Sequence, residues 1–154
     1  MRILFVCLGN ICRSPTAEAV MRGLVADAGL EGEIEVGSAG TGDWHIGYPP
    51  DERSIAAAAE RGVELTGEAR QVGRGDFDGF DLLVAMDRRN RDDLLRIAST
   101  EEDREKVHLL RSYADGELDV PDPYYGGEDG FADVVEVIER SCRALLEDIT
   151  TVYR

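Results

Sequence analysis

The sequence predicts a single-domain α/β fold, a doubly wound sandwich in which a parallel sheet of about four strands is flanked by helices. Three observations lead to this fold class. Short apolar runs alternate along the chain with longer segments whose apolar residues recur at helical spacing. The length of 154 residues is typical of one domain. The chain also contains no internal repeat, low-complexity tract or linker that would divide it.

The first strand, loop and helix follow one another at the start of the chain. Residues 3–6, "ILFV", form an unbroken apolar run that suits a strand buried on both faces. An eight-residue loop, "CLGNICRS", follows, and in it Ser14 suits the N-cap of a helix and Pro15 its first position. The helix is indicated by apolar residues at helical spacing that stop before Gly29. These residues are Ala17, Val20, Met21, Leu24, Val25 and Ala28.

The rest of the chain repeats this alternation. Three further strands are predicted at 33–40, "EIEVGSAG", at 81–86, "DLLVAM", and at 106–110, "KVHLL". An alanine-rich helix is expected from about Ser54 to Arg61, ended by Gly62, and Asp87 is suited to cap another helix. A final helix is predicted because apolar residues again form one face. They are Phe131, Val134, Val135, Ile138, Cys142, Leu145, Leu146 and Ile149.

Three loops leave the carboxyl ends of the predicted strands, where folds of this class bind their ligands. They are the "CLGNICRS" loop, the glycine- and proline-rich loop that carries Trp44, and the loop after "KVHLL". We therefore expect the functional site at this edge of the sheet.

Composition argues against several classes of partner. Thirty-two acidic residues and 17 basic ones give a net charge of −15, so we expect no binding to nucleic acid, whose phosphates attract basic surfaces. No apolar run approaches the roughly 18 residues of a membrane span, and we expect a cytoplasmic protein without membrane contact. The three cysteines have no disulfide-framework spacing, and no histidine lies near Cys7 or Cys12, so we expect no metal site.

The first loop has the parts of an anion-binding cradle. Amide N–H groups at the start of a helix lack helical partners and stabilise an anion. Gly9 would let the backbone curl tightly, and Arg13 could bind two phosphate oxygens with its planar guanidinium group. We therefore predict a phosphate-binding loop. Its members are Leu8, Gly9, Asn10, Ile11, Cys12 and Arg13.

Cys7 comes first in this loop, at the end of the predicted strand. The helix N-terminus and Arg13 would favour its thiolate form, and Ser14 could donate its hydroxyl to the sulfur. A thiolate that faces a bound phosphate indicates in-line attack on phosphorus and a cysteinyl-phosphate intermediate. The alternative is a strand-to-helix turn in which two buried cysteines act as small apolar residues. A nucleotide-binding loop is not indicated, because Gly-Lys-Ser/Thr is absent.

Four segments, "VCLGNICRSPTAEA", "SAGTGDWHIGYPPD", "AMDRRN" and "DVPDPYYGGEDGF", together resemble the low-molecular-weight protein tyrosine phosphatases, in the same order and over essentially all 154 residues. The resemblance implies one phosphatase domain over 1–154, no metal or cofactor, and a two-step ping-pong hydrolysis of phosphotyrosine. Phosphotyrosine-containing proteins would be its partners, with a tyrosine kinase as one candidate. Phosphate and other oxyanions would be inhibitors.

Such a phosphatase needs a group that protonates the leaving phenolate and later activates water, and one carboxyl group can do both. In "DVPDPYYGG", Asp122 lies between Pro121 and Pro123, which restrict its backbone, and it matches the general acid of the family. Asp119 is the rival candidate. A plain Asp-Pro turn without a catalytic role is the other alternative.

Trp44, Tyr124 and Tyr125 are expected to form the walls of the substrate pocket. Aromatic rings on loops beside a phosphate site would stack on a tyrosine ring and set the depth of the pocket. The alternative for each ring is that it packs its own loop. The resemblance favours pocket walls for all three.

The other two cysteines are assigned different roles. The resemblance implies that Cys12 is the redox partner of Cys7 and traps the oxidised nucleophile reversibly. A purely steric role for Cys12 is the alternative. Cys142 lies on the apolar face of the last helix, and we expect it in the core.

The resemblance also assigns supporting positions around the cradle. These are Asn10, Arg53 and Asp87, for which ordinary capping and surface pairing is the alternative. Members often carry a histidine before "ARQ" that braces the asparagine, whereas Gly67 stands there in this chain. If Asn10 lacks that partner, we expect a less rigid loop. His45 and His108 are expected to be surface or loop residues rather than catalysts.

Three rival functions use the same scaffold or loop. Thiol arsenate reductases resemble the first loop but need two further cysteines downstream, where this chain has only Cys142. Arginine phosphatases of the family tend to carry threonine where Ile11 stands. A phosphate-binding or redox-sensing module without turnover would not need Asp122. The isoleucine, the paired tyrosines and the aspartate favour a phosphotyrosine phosphatase.

Overall fold

The computed structural model describes residues 1–123 and 128–152. In chain order the elements are β1 (Arg2–Cys7), α1 (Arg13–Asp27), β2 (Glu35–Gly40), α2 (Glu52–Ala59), α3 (Gly75–Gly79), β3 (Leu82–Ala85), α4 (Arg88–Ile97), α5 (Glu101–Glu105), β4 (Val107–Leu109), a 3-10 turn (Leu110–Tyr113) and α6 (Glu128–Val152).

The four strands form one parallel sheet in the order β2-β1-β3-β4, which confirms the predicted fold class. β1 lies between β2 and β3, with Cys7 paired to Gly40 and Val6 to Ala85. The chain leaves β1 first toward one edge of the sheet and later toward the other. The carboxyl end of β1 is therefore the point where doubly wound sheets bind their ligands.

β1 is buried on both faces, as its unbroken apolar run predicts. Ile3 and Phe5 join a core with apolar residues of α1 and α6. Leu4 and Val6 point to the other face and pack in a core with residues of α3 and α4. The sheet is thus covered on both sides, and the loop after β1 emerges between two packed layers.

The element boundaries differ from the predicted ones in several places. β2 begins two residues later than predicted, at Glu35, and β4 ends at Leu109, where the chain turns into the 3-10 turn. α2 begins at Glu52 because the side chain of Asp51 caps it, accepting a hydrogen bond of 2.9 Å from the Arg53 amide. α3 and α5 were not predicted, since five residues are too few to display a helical period.

Asp87 caps α4 as predicted, accepting a hydrogen bond from the Asn90 amide. Within the described residues, no helix has the length and apolar composition that crossing a membrane requires.

Candidate active site

The boundary between the loop after β1 and helix α1 differs from the predicted one. Ser14 was expected at the N-cap of α1, but the helix begins at Arg13 and Cys12 occupies the cap without a side-chain hydrogen bond. Ser14 and Pro15 therefore belong to the first turn. Because Ser14 does not cap the helix, its hydroxyl can turn back toward the end of β1.

The sulfur of Cys7 lies inside this loop and is hydrogen-bonded from two sides. Its Sγ is 3.0 Å from Ser14 Oγ and accepts a hydrogen bond of 3.2 Å from the Asn10 amide. Cys7 is 3% exposed, yet it is one of the residues that line a cavity. Donors directed at sulfur stabilise a thiolate, so the local geometry agrees with the predicted nucleophile.

Asn10 holds this arrangement together. Among the described non-glycine residues it alone has a positive φ, 57°. Its Nδ2 donates to Ser14 Oγ at 2.8 Å and to Ser38 Oγ at 3.0 Å, and its Oδ1 accepts from the Arg70 amide at 3.0 Å. Both ends of the buried amide group are thus satisfied, which keeps the loop in its curled form.

Asn10 has hydrogen-bond partners although Gly67 stands where other members often carry the bracing histidine. Gly67 borders a groove that Asn10, Ser38 and Arg70 also line. The Ser38 hydroxyl and the Arg70 amide supply the contacts to the asparagine. Sequence reasoning missed both residues, and for Arg70 no side-chain signal exists because the backbone donates.

Gly9 has a role other than the predicted one. It is not among the glycines with positive φ, so the tight curl falls to Asn10 instead. A Cβ built on Gly9 would lie 2.9 Å from Cδ2 of His45. Gly9 is therefore required for the close approach of this ring. His45 is a loop residue as expected, but it also lines the cavity, which sequence reasoning missed.

Arg13 links the cradle to two other loops. Its Nη1 donates to Asp87 Oδ2 at 2.7 Å and to the Val120 carbonyl at 2.8 Å, and its Nη2 lies 3.5 Å from Asp122 Oδ2. Burial disfavours the charged guanidinium, but the Cys7 sulfur and the hydrogen bond to Asp87 outweigh this effect and raise the pKa of Arg13. A fixed positive charge therefore lies beside the sulfur.

The two candidate acids occupy different places. Asp122 lines the cavity, and more than a third of its side chain is exposed. Asp119 instead accepts hydrogen bonds from the amide and guanidinium of Arg88, at 2.9 and 3.0 Å. The hydrogen bond to the Arg88 side chain is the main reason that the pKa of Asp119 is lowered. The geometry therefore favours Asp122 as the acid, and Asp119 as an anchor of its loop.

That loop is attached to the sheet just before Asp122. The Val120 amide donates to the Met86 carbonyl at 2.8 Å, beyond the end of β3, and the Val120 carbonyl accepts from Arg13. Arg111 donates to the Asp119 carbonyl at 2.9 Å. The loop after β4 thus carries its carboxylate to the carboxyl end of β1, as the predicted topology requires.

The cavity at this edge has a volume of about 290 Å³. Its lining residues are Cys7, Leu8, Gly9, Ile11, Cys12, Arg13, Trp44, His45 and Asp122. Trp44 is 61% exposed and lines the cavity, so its ring stands at the opening. Tyr124 and Tyr125, the other predicted walls, lie outside the described residues.

Cys12 lines the cavity and belongs to a cluster of buried apolar side chains. The other members of this cluster are Ile11, Ala57, Ala69, Phe131 and Val135. Burial raises the pKa of its thiol to about 12, although a hydrogen bond with Ser54 acts in the opposite direction. Cys7 and Cys12 are both free thiols, and the redox role of Cys12 stays a prediction. Cys142 is fully buried in the core, which confirms its assignment.

The remaining sequence candidates lie further out. Arg53 stacks on the Phe131 ring, 4.5 Å from its centroid, and pairs with Asp51, so it joins α2 to α6. His108 lies in β4, 6.2 Å from the ring of Tyr113. In the part of the chain that the structure describes, no three His, Cys, Asp or Glu side chains form a group that could hold a metal ion.

Comparison with known proteins agrees with this geometry. The family described as low molecular weight phosphotyrosine protein phosphatase matches residues 2–153. A low molecular weight protein-tyrosine-phosphatase of Streptomyces coelicolor is 52% identical over 149 residues, which covers 94% of this chain and 91% of the relative. The human low molecular weight phosphotyrosine protein phosphatase is 43% identical, with 94% and 93% covered.

Solved structures agree as well. A crystal structure of a protein tyrosine phosphatase from Entamoeba histolytica superposes with a TM-score of 0.95 at 37% sequence identity, covering 100% of this chain and 99% of that one. The fold, the loop after β1 and the matches over almost the whole sequence lead to one conclusion: this chain belongs to the low molecular weight phosphotyrosine protein phosphatase family.

Proposed function

We propose that the chain is a protein tyrosine phosphatase that hydrolyses phosphotyrosine through a cysteinyl-phosphate intermediate on Cys7. One observation carries this proposal. The Cys7 sulfur accepts a hydrogen bond from the cradle, with the Arg13 guanidinium and the Asp122 carboxyl group lining the same cavity. A nucleophile, an anion-binding cation and an acid are the three groups that hydrolysis of a phosphate monoester through a cysteinyl-phosphate intermediate uses.

In the first step the Cys7 thiolate attacks phosphorus and the bond from phosphorus to the tyrosine oxygen breaks. Asp122 gives its proton to the leaving phenolate, so neutral tyrosine departs. Arg13 and the loop amides hold the phosphoryl oxygens, whose charge they stabilise in the transition state. Arg13 is suited to this because Asp87 and the Val120 carbonyl fix one side of its guanidinium group.

In the second step water attacks the cysteinyl phosphate. Asp122, now a carboxylate, accepts the proton of the water as the bond from sulfur to phosphorus breaks. Phosphate leaves, and the sulfur returns to its thiolate form. Ser14 supports this departure because its hydroxyl lies 3.0 Å from the sulfur and stabilises the charge that develops there.

The substrates proposed for this site are phosphotyrosine-containing proteins. Trp44 stands at the opening, where its indole ring offers a stacking surface to the tyrosine ring of a substrate. The relatives from Streptomyces coelicolor and human carry names that specify tyrosine phosphatase activity. A tyrosine kinase is a candidate partner, and phosphate and other oxyanions are expected to inhibit by occupying the cradle.

The rival functions are less well supported. An arsenate reductase mechanism needs further accessible thiols, but Cys142 is fully buried, with its sulfur 3.9 Å from the Ala17 carbonyl. A thiol sensor without turnover has no use for a carboxylate in the cavity, yet Asp122 lines it. Ile11 also lines the cavity, at the position where arginine phosphatases tend to carry threonine.

The test compares Cys7→Ser, Asp122→Asn and Asp119→Asn with the unaltered protein on a phosphotyrosine peptide and on p-nitrophenyl phosphate. Cys7→Ser is expected to abolish turnover. Asp122→Asn is expected to lower kcat on the peptide by about 10²- to 10⁴-fold, and by less on p-nitrophenyl phosphate, whose leaving group needs less protonation. Asp119→Asn is the matched control and should lose less than about tenfold, because its carboxylate contacts Arg88 instead of the substrate.

Retained turnover in Cys7→Ser would rule out the proposed nucleophile. If Asp119→Asn proved as damaging as Asp122→Asn, with its melting temperature unchanged, the assignment of the acid would be wrong.

A further inference from the structure

The loop after β2 presents an apolar surface beside the cavity. Trp44, Ile46 and Tyr48 are 61%, 54% and 57% exposed. We call these three residues the apolar rim. They are three of the five large apolar residues that are markedly exposed in the described part of the chain, and they fall within five consecutive positions. Large apolar side chains concentrated on a surface mark a site of contact with another molecule.

Backbone hydrogen bonds hold the loop that carries the apolar rim in place. The Gly47 amide donates to the Ala69 carbonyl at 2.9 Å, and the Ala69 amide donates to the Tyr48 carbonyl at 2.8 Å. At the other end of the loop, the Gly42 amide donates to the Leu8 carbonyl at 2.9 Å, inside the cradle. The loop is thus tied both to the phosphate-binding loop and to the segment that braces Asn10, with its apolar side chains directed outward.

The apolar rim is continuous with the cavity. Trp44 and His45 both line the cavity, and the His45 ring lies 5.5 Å from the Tyr48 ring. When the phosphate of a phosphotyrosine reaches Cys7, the side chain occupies the cavity and the backbone of the substrate polypeptide stays outside, at the opening. The residues on either side of that phosphotyrosine therefore lie against the surface that surrounds the opening, which includes the apolar rim.

The charge around the opening adds a second preference. Asp43 is exposed and directly precedes Trp44, and the chain carries a net charge of −15. Carboxylates next to a phosphotyrosine would be repelled by these groups, most strongly at low ionic strength. Apolar residues next to the phosphotyrosine would instead bury apolar area against the rim.

We propose that the apolar rim is a docking surface for the polypeptide of the substrate, and that it selects phosphotyrosines flanked by large apolar residues over those flanked by polar or acidic ones. This inference rests on the proposed function, since it concerns the substrates of the same site. The occupant is the substrate chain itself, because the cavity fixes where that chain must pass.

The experiment uses three synthetic phosphotyrosine peptides that differ only in the two residues on each side of the phosphotyrosine, which are leucine, serine or aspartate. Phosphate release gives kcat/KM for each peptide, with p-nitrophenyl phosphate as a substrate that has no flanking residues to contact Ile46 or Tyr48. The unaltered protein is expected to favour the leucine peptide over the serine peptide by about tenfold, and the aspartate peptide is expected to be the poorest at low salt.

The double variant Ile46→Ser/Tyr48→Ser is expected to bring the leucine to serine ratio close to one while leaving p-nitrophenyl phosphate turnover unchanged. Ile55→Ser is the matched control. Ile55 is also an exposed isoleucine, but it lies on α2 and does not line the cavity. This variant should keep the full leucine preference.

Each of the other outcomes contradicts the proposal. Equal rates on the leucine and serine peptides, or a preference that survives in the double variant, would overturn the docking surface while leaving the proposed function intact. Loss of a dimer in the double variant, seen by sedimentation with the peptide ratio unchanged, would show that the apolar rim binds a second copy of the chain instead. Absence of turnover on all substrates would instead reject the proposed function, and this inference with it.

Discussion

The position of Trp44 depends on a glycine two residues earlier. A Cβ built on Gly42 would lie 2.4 Å from Cζ3 and 2.6 Å from Cη2 of the Trp44 ring, whereas ordinary van der Waals contact begins at 3.4 Å. In Gly42→Ala the ring must therefore move by about 1 Å. Gly42 does not have a positive φ, so alanine fits the backbone there and the effect is confined to the ring.

Displacing this ring changes the wall of the cavity without touching the groups that react. We expect KM for a phosphotyrosine peptide to rise by about threefold to tenfold in Gly42→Ala, since part of the apolar contact with the tyrosine ring is lost, with kcat little changed. Trp44 is the single tryptophan of the chain. Its fluorescence emission and its quenching by acrylamide therefore report the displacement directly.

Gly23→Ala is the matched control for this experiment. Gly23 lies in α1, and a Cβ there would meet nothing within 4 Å. This variant should leave KM and fluorescence unchanged and raise the free energy of unfolding by about 1 kcal/mol. Gly42→Ala with unaltered fluorescence and unaltered KM would refute the argument that the glycine positions the indole ring at the opening.

Three further predictions concern groups around the cradle. Arg88→Gln removes the ion pair that anchors Asp119, three residues before Asp122, and is expected to lower kcat several-fold at unchanged KM with partial recovery in Arg88→Lys; an unchanged kcat in Arg88→Gln would contradict the anchoring role. Because the folded state holds the pKa of Cys12 at about 12 against an ordinary value of 9.0, the unfolded chain binds fewer protons above pH 9. Between pH 9 and about pH 12, the free energy of unfolding should therefore fall by about 1.4 kcal/mol for each pH unit because of this group. Urea titrations at several pH values should show that the free energy of unfolding of Cys12→Ala falls with pH less steeply by that amount. An equal dependence on pH in both proteins would refute this prediction. Asp51→Ala removes the cap of α2 and should lower the free energy of unfolding by about 1 kcal/mol; a thermal melt unchanged from the unaltered protein would count against the cap.

The sequence predicted those features of the fold that depend on local pattern. β1 was recognised because a strand covered on both faces needs an unbroken apolar run, and alternation of strands and helices implied a parallel sheet. α3 and α5 were missed since helices of five residues are stabilised by their surroundings rather than by a period of their own. The preference of serine for an N-cap predicted that α1 would begin after Ser14. The helix begins at Arg13 instead, because the curled loop of the cradle outweighs this preference.

The candidate site divides in the same way. Cys7, Arg13 and Ser14 lie on one short segment, so their spacing alone predicted that they would meet. Ser38 and Arg70 could not be predicted, because they reach Asn10 from distant parts of the chain and one of them acts through its backbone. The closeness of Gly9 to His45 is likewise a fact of tertiary packing.

The central claim is that Cys7 carries the phosphoryl group during turnover. The most direct measurement mixes the protein with a phosphotyrosine peptide, stops the reaction with an alkaline denaturant after a fraction of a turnover, because the bond from sulfur to phosphorus is labile in acid, and locates the phosphate by mass spectrometry of proteolytic fragments. We predict phosphate on the sulfur of Cys7, and none on the fragment from Cys7→Ser. Phosphate on any other residue, or turnover without phosphate on Cys7, would contradict the account.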